Sequence, residues 1–428
     1  MLSVLLKEKI LNDGYNGVFE SLYGKAYIEK QKKRYISAIE KFEEIYDADK
    51  DISIYSAPGR TEICGNHTDH NFGVIVASAI VEDTICIAAK NTENMVNIAS
   101  EGYEQMQPVN LQKLRATVSD EGTTRGLVKG ICAETIKFGG VCEGLDLYIT
   151  SDVLKGSGLS SSAAFENTVM AAVNGEYNEN RFSAVEMALI GQKAENEYFG
   201  KPCGVMDQTV SAVGGAICLD LEDVTNPKVT QLPLDLEKWG LTMCTVDCGA
   251  SHDDLTEEYA SIPKDMKAIA QTFMKDGLRR LDMETYINHL SFLRDMFGDR
   301  AVLRGMHFFT ECKRVEDLCK AVETDNRELF LKKITESGHS SYEYLQNAYV
   351  ATNTKNQAMA VALSVAQSFL QDIGGAWRLQ GGGFAGSIQC FVPSEKLESF
   401  KKYMEIIFGE NCCKVITLRT AGAVKVMG

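Results

Sequence analysis

The sequence has 428 residues, of which 45% are hydrophobic and 24% charged, and its formal net charge is −15. This length exceeds the usual size of one hydrophobic core, so we expect two closely packed domains. The acidic balance argues against nucleic acid or an anionic membrane surface as a partner, and no apolar run reaches the roughly 18 residues of a membrane span.

The thirteen cysteines and six histidines are scattered along the chain without the spacing of a zinc site. The apolar run at the N-terminus is too short for a signal peptide. We therefore expect reduced, mostly buried thiols and a cytoplasmic location.

Polar helices come first along the chain. Residues 1–50 have a helical pattern, and we expect an N-terminal extension of surface helices over about residues 1–45, without chemistry of its own. Such an extension would cover a sheet edge, contact a partner or only enlarge the N-terminal domain. Beyond it, short apolar runs predict strands at 52–57, 73–81, 84–89, 145–150 and 216–221.

Helices and strands then follow each other without a regular βαβ rhythm, which favours an α+β fold. Two prolines at 227 and 233 bracket a polar stretch, so we expect a domain boundary near residue 230, with domains at 1–230 and 231–428. The patterns predict helices at 126–138, 183–198, within 256–361 and at 395–408, and strands at 241–246, 377–380, 387–392 and 414–417.

The stretch from residue 154 to 164 reads Leu-Lys-Gly-Ser-Gly-Leu-Ser-Ser-Ser-Ala-Ala. Gly156 and Gly158 allow close approach of the backbone to a ligand, and three serines stand where an amphipathic helix should begin. A glycine-rich turn that enters a helix N-terminus suits phosphate, although it lacks the Gly-Lys-Ser/Thr of a Walker A loop. A flexible, serine-capped turn is the alternative interpretation.

Polar side chains are concentrated in residues 57–73, between two apolar runs. Carboxylate, imidazole and amide groups together supply both donors and acceptors, which suits a hydroxyl-rich ligand, and a solvated connection is the alternative. Glu195 ends a helical pattern, while Asp207 lies among apolar neighbours and is a candidate general base, or else a helix cap. A loop of three glycines, 381–383, indicates that something packs against its backbone, and a tight turn is the alternative.

In this order the motifs Pro-Gly-Arg…Gly-x-His-Thr-Asp, Gly-x-Gly-Leu-Ser-Ser-Ser-Ala-Ala and Gly-Gly-Gly-Phe-x-Gly resemble the three signatures of the GHMP small-molecule kinases. Cys203-Gly-Val-Met-Asp-Gln208 is similar to the galactokinases among them. The resemblance implies a two-domain fold, with an N-terminal ribosomal S5-like domain, a C-terminal ferredoxin-like domain and the active site in the cleft between them. It implies ATP and Mg²⁺ as cofactors and phosphorylation of a hexose, D-galactose first, at its anomeric hydroxyl.

The resemblance also implies a role for individual residues. Asp207 would be the base, with Arg60 beside it, and Ser162 and Glu195 would hold Mg²⁺. The phosphates of ATP would be wrapped by Gly156, Ser157, Gly158, Leu159, Ser160, Ser161 and Ser162. The sugar would be bound by Asn66, His67, Asp69, Gly204 and Tyr259.

Departures from the family pattern concern the sugar rather than the reaction. Asn66 stands where galactokinases usually carry a Glu that contacts the C6 hydroxyl, His70 replaces a Tyr and Ser251 an Arg. The alternatives are therefore a 1-kinase for another galactose-like sugar, such as N-acetylgalactosamine or a C6-modified hexose, and a non-catalytic sensor of galactose and ATP. We expect a monomer or a weak homo-oligomer.

Overall fold

A computed structural model of the protein describes residues 1–104, 106–153, 158–249 and 255–428. In chain order its helices are α1 (Ser3–Leu11), α2 (Asn16–Tyr23), α3 (Ile28–Tyr46), α4 (Thr124–Lys137), α5 (Ser161–Tyr177), α6 (Ala184–Ala194), α7 (Met206–Val213), α8 (Thr256–Thr272), α9 (Met283–Asn288), α10 (Leu290–Phe297), α11 (Asp299–Glu323), α12 (Arg327–Ser340), α13 (Ala358–Leu370) and α14 (Leu397–Phe408). Single π-helical turns extend α6 and α12, at Glu195–Phe199 and Ser341–Leu345. Across these ranges no helix is both long and apolar enough to cross a membrane.

The strands, in chain order, are β1 (Ser53–Cys64), β2 (Val74–Lys90), β3 (Met95–Ser100), β4 (Val109–Asn110), β5 (Leu145–Ser151), β6 (Ala216–Asp220), β7 (Lys228–Leu232), β8 (Leu241–Asp247), β9 (Ala376–Leu379), β10 (Ser387–Pro393), β11 (Cys413–Ile416) and β12 (Val424–Met427). Helices and strands are mixed without a regular βαβ alternation, and the predicted α+β class is confirmed.

The chain forms two compact units that interleave along the sequence. Unit 1 comprises Met1–Arg60, Ala79–Gly215 and Leu418–Gly428, and unit 2 comprises Thr61–Ser78 and Ala216–Thr417. The domain boundary near residue 230 stays a prediction.

Unit 1 is built on a sheet with the strand order β12-β1-β2-β5-β3-β4. In it β12 is antiparallel to β1, β5 is antiparallel to β2, and β3 runs parallel to β5. The predicted strands 73–81 and 84–89 are one continuous strand, β2. The two polar residues between the predicted strands lie within β2. The strand continues through them because Asp83 is buried together with charged partners.

From the sequence we expected the N-terminal helices to be surface elements. In the structure they also contribute side chains to the core of unit 1. In α3 the apolar residues recur at helical spacing, and they bury one face of the helix while its charged residues cover the other. Fully buried side chains of these helices share a core with β1, β2 and β5. The helices contribute Leu6, Ile10, Phe19, Tyr35, Ile39 and Phe42, and the strands contribute Ile54, Ile85 and Ile87.

Unit 2 contains an antiparallel four-stranded sheet of order β11-β8-β10-β9. Helices α13 and α14 pack on this sheet through one apolar core, and α8, α10 and α11 share a second core. The first five residues of β2 pair with β6, which in turn pairs with β7. The mainly helical pattern predicted for residues 256–361 is confirmed.

Candidate active site

The glycine- and serine-rich segment joins β5 to α5 in unit 1. Gly156 and Ser157 lie outside the described residues, and the description resumes at Gly158, whose φ is +74°. Ser160 precedes α5 in the left-handed conformation, and its hydroxyl makes no capping bond to the helix. The first turn of this 17-residue helix therefore presents amide groups without a side-chain cap, an arrangement that favours an anion.

Arg60, Ser160 and Asp207 meet at the start of α5. Arg60 donates from Nε to Asp207 Oδ1 and from Nη2 to Asp207 Oδ2, both at 2.7 Å, and from Nη1 to the carbonyl of Gly158 at 2.6 Å. The Ser160 hydroxyl also donates to Asp207 Oδ2. The sequence-predicted base and its arginine thus form a bidentate pair that is tied to the glycine- and serine-rich segment.

The electrostatics of this pair favour an ionised Asp207. Burial alone would raise the pKa of Asp207, but the charge of Arg60 and the hydrogen bonds from Arg60 and Ser160 outweigh it and lower that pKa below its ordinary value. Asp207 lies in the first turn of α7, whose N-cap is Val205, so it is not the cap of that helix. At neutral pH it is an acceptor with a 29% exposed side chain.

A second polar cluster in unit 1 surrounds Glu195, which is 3% exposed and starts a π-helical turn. Lys201 Nζ donates to Glu195 Oε1, and Gln208 Nε2 donates to Glu195 Oε2, each at 2.9 Å. The same Gln208 nitrogen contacts Glu166 Oε2 at 2.9 Å. The sequence analysis assigned no role to Glu166 or Gln208. Each could have been noticed from its position, because Glu166 lies four residues after Ser162 and Gln208 directly follows the proposed base.

Glu166 is fully buried, and its Oε1 has no partner among the described residues. Burial and then the nearby charge of Glu195 raise the pKa of Glu166 well above its ordinary value. Ser162 is the second residue of α5, half-buried, one turn before Glu166. Hydroxyl and carboxylate oxygens are ligands that Mg²⁺ accepts, so the chemistry of the Ser162 and Glu195 side chains suits that cation. In this structure Glu195 is paired with Lys201, whose side chain is 59% exposed.

In unit 2 the polar loop between β1 and β2 folds on itself. Gly65 and His67 have positive φ values of 107° and 56°, and the Thr68 hydroxyl donates to the carbonyls of Gly65 and Val74 at 2.9 and 3.0 Å. Asp69 follows in a short 3₁₀ turn, half-buried, with one oxygen 3.6 Å from His70 Nε2. The loop thus has a defined shape, which the alternative of a solvated connection does not require.

Side chains of this loop and of α8 bind the three carbonyls of the glycine loop in unit 2. Asn66 Nδ2 donates to Gly381 O at 2.7 Å, His67 Nε2 contacts Gly382 O at 2.9 Å, and Tyr259 Oη donates to Gly383 O at 2.8 Å. A carbonyl only accepts, so His67 Nε2 carries a hydrogen there, and burial lowers the pKa of His67, which favours the neutral ring. The glycine loop is therefore aligned by residues that the sequence predicted to bind the sugar.

Asn66 is 1% exposed, and the protein satisfies its amide. Besides Gly381 O, its Nδ2 donates to Glu62 Oε1 at 3.1 Å, and its Oδ1 accepts from Asn347 Nδ2 at 2.8 Å. Asn347 also donates to Gly382 O at 2.9 Å. Asn66 in this structure supports the glycine loop, and its contact with the C6 position of a sugar stays a prediction.

A buried polar layer lies behind Asn66 and Gly65. His307 Nε2 contacts the carbonyl of Asn66 at 2.8 Å, and Glu311 Oε1 accepts from the Gly65 amide at 3.0 Å. Both residues come from α11 and are fully buried. Sequence reasoning had no motif for them, because the pattern of α11 indicates only a long helix.

The structure thus assembles the predicted residues within each unit. Unit 1 brings together Arg60, Gly158, Leu159, Ser160 and Asp207, and unit 2 brings Asn66, His67 and Tyr259 onto the glycine loop. Gly204, half-buried, follows Cys203, whose amide donates to Asn196 Oδ1 at 2.7 Å at the end of α6. Ser251 lies outside the described residues.

Comparisons with known proteins agree with the motifs. The family model for the GHMP kinases N terminal domain matches residues 126–215, and the model for the galactokinase galactose-binding signature matches residues 40–90. A galactokinase of Glaesserella parasuis is 30% identical over 351 residues, which is 81% of this chain and 86% of that protein. A galactokinase of Mannheimia succiniciproducens is 30% identical over 364 residues, 84% and 90% of the two chains.

Solved structures share the fold. Galactokinase of Lactococcus lactis complexed with galactose superposes with a TM-score of 0.78 at 22% identity, over 91% of this chain and 100% of that one. Mevalonate kinase of Methanococcus jannaschii superposes with a TM-score of 0.60 at 14% identity, over 86% and 98%. The GHMP kinase fold expected from the motifs is confirmed.

Proposed function

The chain belongs to the galactokinase family and is a sugar kinase, and from this premise we propose that it transfers the γ-phosphoryl group of ATP to the anomeric hydroxyl of D-galactose. The observation that carries the proposal is the contact of Arg60 and Ser160 with Asp207 beside the N-terminus of α5. Galactose is the first choice because the matched relatives are named galactokinases and the galactose-binding signature covers residues 40–90.

In the proposed reaction Asp207 accepts the proton of the anomeric hydroxyl while the sugar oxygen bonds to the γ-phosphorus and the bond to the β-phosphate oxygen breaks, which leaves ADP. Asp207 Oδ2 already accepts from Arg60 Nη2 and Ser160 Oγ, whereas Oδ1 accepts, among the described residues, only from Arg60 Nε. Oδ1 keeps a lone pair and is the atom to which we assign the proton. A weak base suffices, because the nucleophile carries little charge in a loose transition state.

Arg60 has two roles in this proposal. Its bidentate contact holds Asp207 ionised and fixes its orientation, and its positive charge offsets the charge that grows on the transferring group. Ser162 and Glu195 would hold Mg²⁺, which when bound neutralises phosphate charge and orients the phosphoryl group. The segment Gly156–Ser162 would bind the phosphates through amide groups at the start of α5.

The experiment that tests the catalytic assignment compares Asp207→Asn with wild type in a coupled assay of ATP turnover with galactose and Mg²⁺. We expect kcat to fall at least about a hundredfold with little change in melting temperature, since general-base catalysis contributes about 10²–10⁴-fold. A matched control is Asp299→Asn, which breaks an exposed ion pair with Arg294 of 2.6 Å and should leave kcat unchanged. Full activity of Asp207→Asn would overturn the assignment of the base.

A second candidate substrate is a galactose with a substituent at C6 or C2, such as galacturonate or N-acetylgalactosamine. It is favoured by Asn66, which is neutral, 1% exposed and engaged by Glu62, Gly381 and Asn347. The test is kcat/KM for galactose, D-fucose (6-deoxy-D-galactose), galacturonate and N-acetylgalactosamine with the same enzyme. A site that forms a hydrogen bond to a hydroxyl rejects the analogue without that hydroxyl by a large factor. Equal kcat/KM values for galactose and D-fucose would therefore mean that the enzyme forms no hydrogen bond to the C6 hydroxyl.

The non-catalytic alternative is a sensor that binds galactose and ATP without turnover. The same assay separates it from a kinase, since a sensor would bind both ligands and produce no ADP. The intact Arg60–Asp207 pair supports catalysis, because binding alone does not need an aligned proton acceptor.

A further inference from the structure

Glu62, a buried carboxylate of β1, uses only one of its two oxygens toward the described residues. Its side chain is 7% exposed, and its Oε1 accepts from Arg378 Nη2 at 2.6 Å and from Asn66 Nδ2 at 3.1 Å. In the part of the chain that the structure describes, no group donates to Oε2. Buried polar atoms are normally hydrogen-bonded, so this oxygen indicates a donor that comes from a bound molecule.

The neighbouring amide of Asn66 is occupied by the protein. Both hydrogens of its Nδ2 are donated, one to Glu62 Oε1 and one to the carbonyl of Gly381 at 2.7 Å. Its Oδ1 accepts from Asn347 Nδ2 at 2.8 Å, and the whole residue is 1% exposed. Of this bonded pair, Glu62 rather than Asn66 therefore has the polar atom that is left for a ligand.

Glu62 lies next to residues that we predict to bind the sugar. It is hydrogen-bonded to Asn66, and its charge reaches His67. Burial lowers the pKa of His67, while the charges of Asp69 and Glu62 oppose that shift. The galactose-binding signature, which matches residues 40–90, includes all four residues. A sugar hydroxyl is a hydrogen-bond donor as well as an acceptor, and its bond to a carboxylate is stronger than its bond to a neutral group.

We propose that Glu62 determines sugar specificity: its Oε2 accepts a hydrogen bond from a hydroxyl group of the bound sugar, while Oε1 stays with Arg378 and Asn66. This role rests on the proposed function and adds to it a residue that selects the sugar. Arg378 donates to Oε1 and, from Nη1, to the backbone carbonyl of Glu62 at 3.1 Å, so the carboxylate has a fixed orientation. A fixed acceptor discriminates between sugars, because an analogue without the hydroxyl leaves it unpaired.

The test is kcat/KM for D-galactose and for its 2-, 3-, 4- and 6-deoxy analogues, measured with wild type and with Glu62→Gln. Wild type should prefer galactose to one of these analogues by about tenfold to a hundredfold through this contact, because that analogue loses a charge-assisted hydrogen bond. In Glu62→Gln the amide oxygen should remain with Arg378 and Asn66, so that a donor, the NH₂ group, replaces Oε2. We expect that preference to fall by about tenfold in the variant, and the analogue concerned identifies the hydroxyl.

The matched control is Glu311→Gln, which alters a fully buried carboxylate of the same loop whose two oxygens are both bonded. Its Oε1 accepts from the Gly65 amide at 3.0 Å and from Ser337 Oγ at 2.5 Å. Its Oε2 accepts from Arg314 Nη1. We expect this variant to change kcat/KM for galactose and for all four analogues in the same proportion. If Glu62→Gln behaves in the same way, Glu62 has only a structural role and the proposal is overturned.

Two further measurements separate this proposal from the proposed function and from a loss of folding. The double variant of Glu62→Gln and Arg378→Met leaves no buried charge unpaired, so it replaces Glu62→Gln in the comparison if the single variant does not fold. Calorimetric titration with galactose and the same analogues measures binding without turnover. If wild type neither binds nor phosphorylates galactose, the proposed function fails and this role fails with it. If wild type phosphorylates galactose and the folded Glu62 variant keeps every preference of wild type, only the role of Glu62 fails.

Discussion

A buried ion pair joins Glu62 to Arg378 in unit 2, and breaking it should destabilise the protein. Arg378 is fully buried on β9, and its Nη2 donates to Glu62 Oε1 at 2.6 Å while Nη1 donates to the Glu62 carbonyl at 3.1 Å. Burial alone would lower the pKa of Arg378, but the charge of Glu62 raises it above its ordinary value. Glu62→Gln leaves the guanidinium buried without its anion.

The cost of breaking such a pair is about 3–5 kcal/mol. For a unit of roughly 150–250 residues one kcal/mol shifts the melting temperature by about 2–4 °C, so the melting temperature should fall by about 6–20 °C. Activity should respond as well, since Glu62 Oε1 also accepts from Asn66, and Arg378 lies three residues before the glycine loop. We expect a higher KM for the sugar with little change in KM for ATP.

The assay is thermal unfolding of Glu62→Gln, Arg378→Met and the double variant, with steady-state kinetics on each. Because the double variant leaves no unpaired buried charge, it should be more stable than the sum of the single losses predicts, by about 1 kcal/mol or more. Additive losses, or single variants as stable as wild type, would show that Glu62 and Arg378 do not stabilise the protein as a buried ion pair.

Three further predictions concern the glycine loop, the base and the layer behind the loop. Gly382→Ala should raise KM for the sugar severalfold in kinetic assays, because its Cβ would collide with the ring of Tyr259; an unchanged KM would contradict this. Arg60 lowers the pKa of Asp207, so kcat/KM of wild type should have no acidic limb above about pH 4. Arg60→Met should lower kcat by about 10²–10³-fold and move that limb to higher pH, and a pH profile identical to wild type would refute the assigned pairing. Burial lowers the pKa of His307 to about 4, so the stability due to the neutral ring is complete above about pH 6.5 and is lost as the pH falls toward 4. Denaturant unfolding of His307→Gln should show a smaller loss over that pH range than wild type, and an equal loss would contradict the role of His307.

Much of the fold could be predicted from the sequence, because the spacing of apolar residues indicates the helices and strands and the order of the motifs indicates the family. The strands from residue 145 and from 216, and the helix around residue 190, lie where the apolar patterns indicate them. The break predicted in β2 was wrong because a polar residue in a strand normally marks its end. Asp83 is instead compensated by Arg34 and Arg419, which are far from it in sequence.

The candidate site could also be predicted only in part from the sequence. Arg60, Ser160 and Asp207 belong to motifs, and the structure brings them into contact. Glu166 and His307 were both missed. A lone histidine within a helical pattern has no signature of its own, and Glu166 is marked only by its position one turn after Ser162. Their importance comes from burial and from partners that only the tertiary fold supplies.

We propose above that the protein phosphorylates the anomeric hydroxyl of galactose with ATP and that Asp207 is the base. The most direct measurement is phosphorus NMR of the products formed from ATP, Mg²⁺ and galactose by wild type and by Asp207→Asn. We predict an α-galactose 1-phosphate signal that grows with wild type and is absent with Asp207→Asn over the same time. A phosphate ester at another carbon, no sugar phosphate with wild type, or equal product from the variant would contradict the claim.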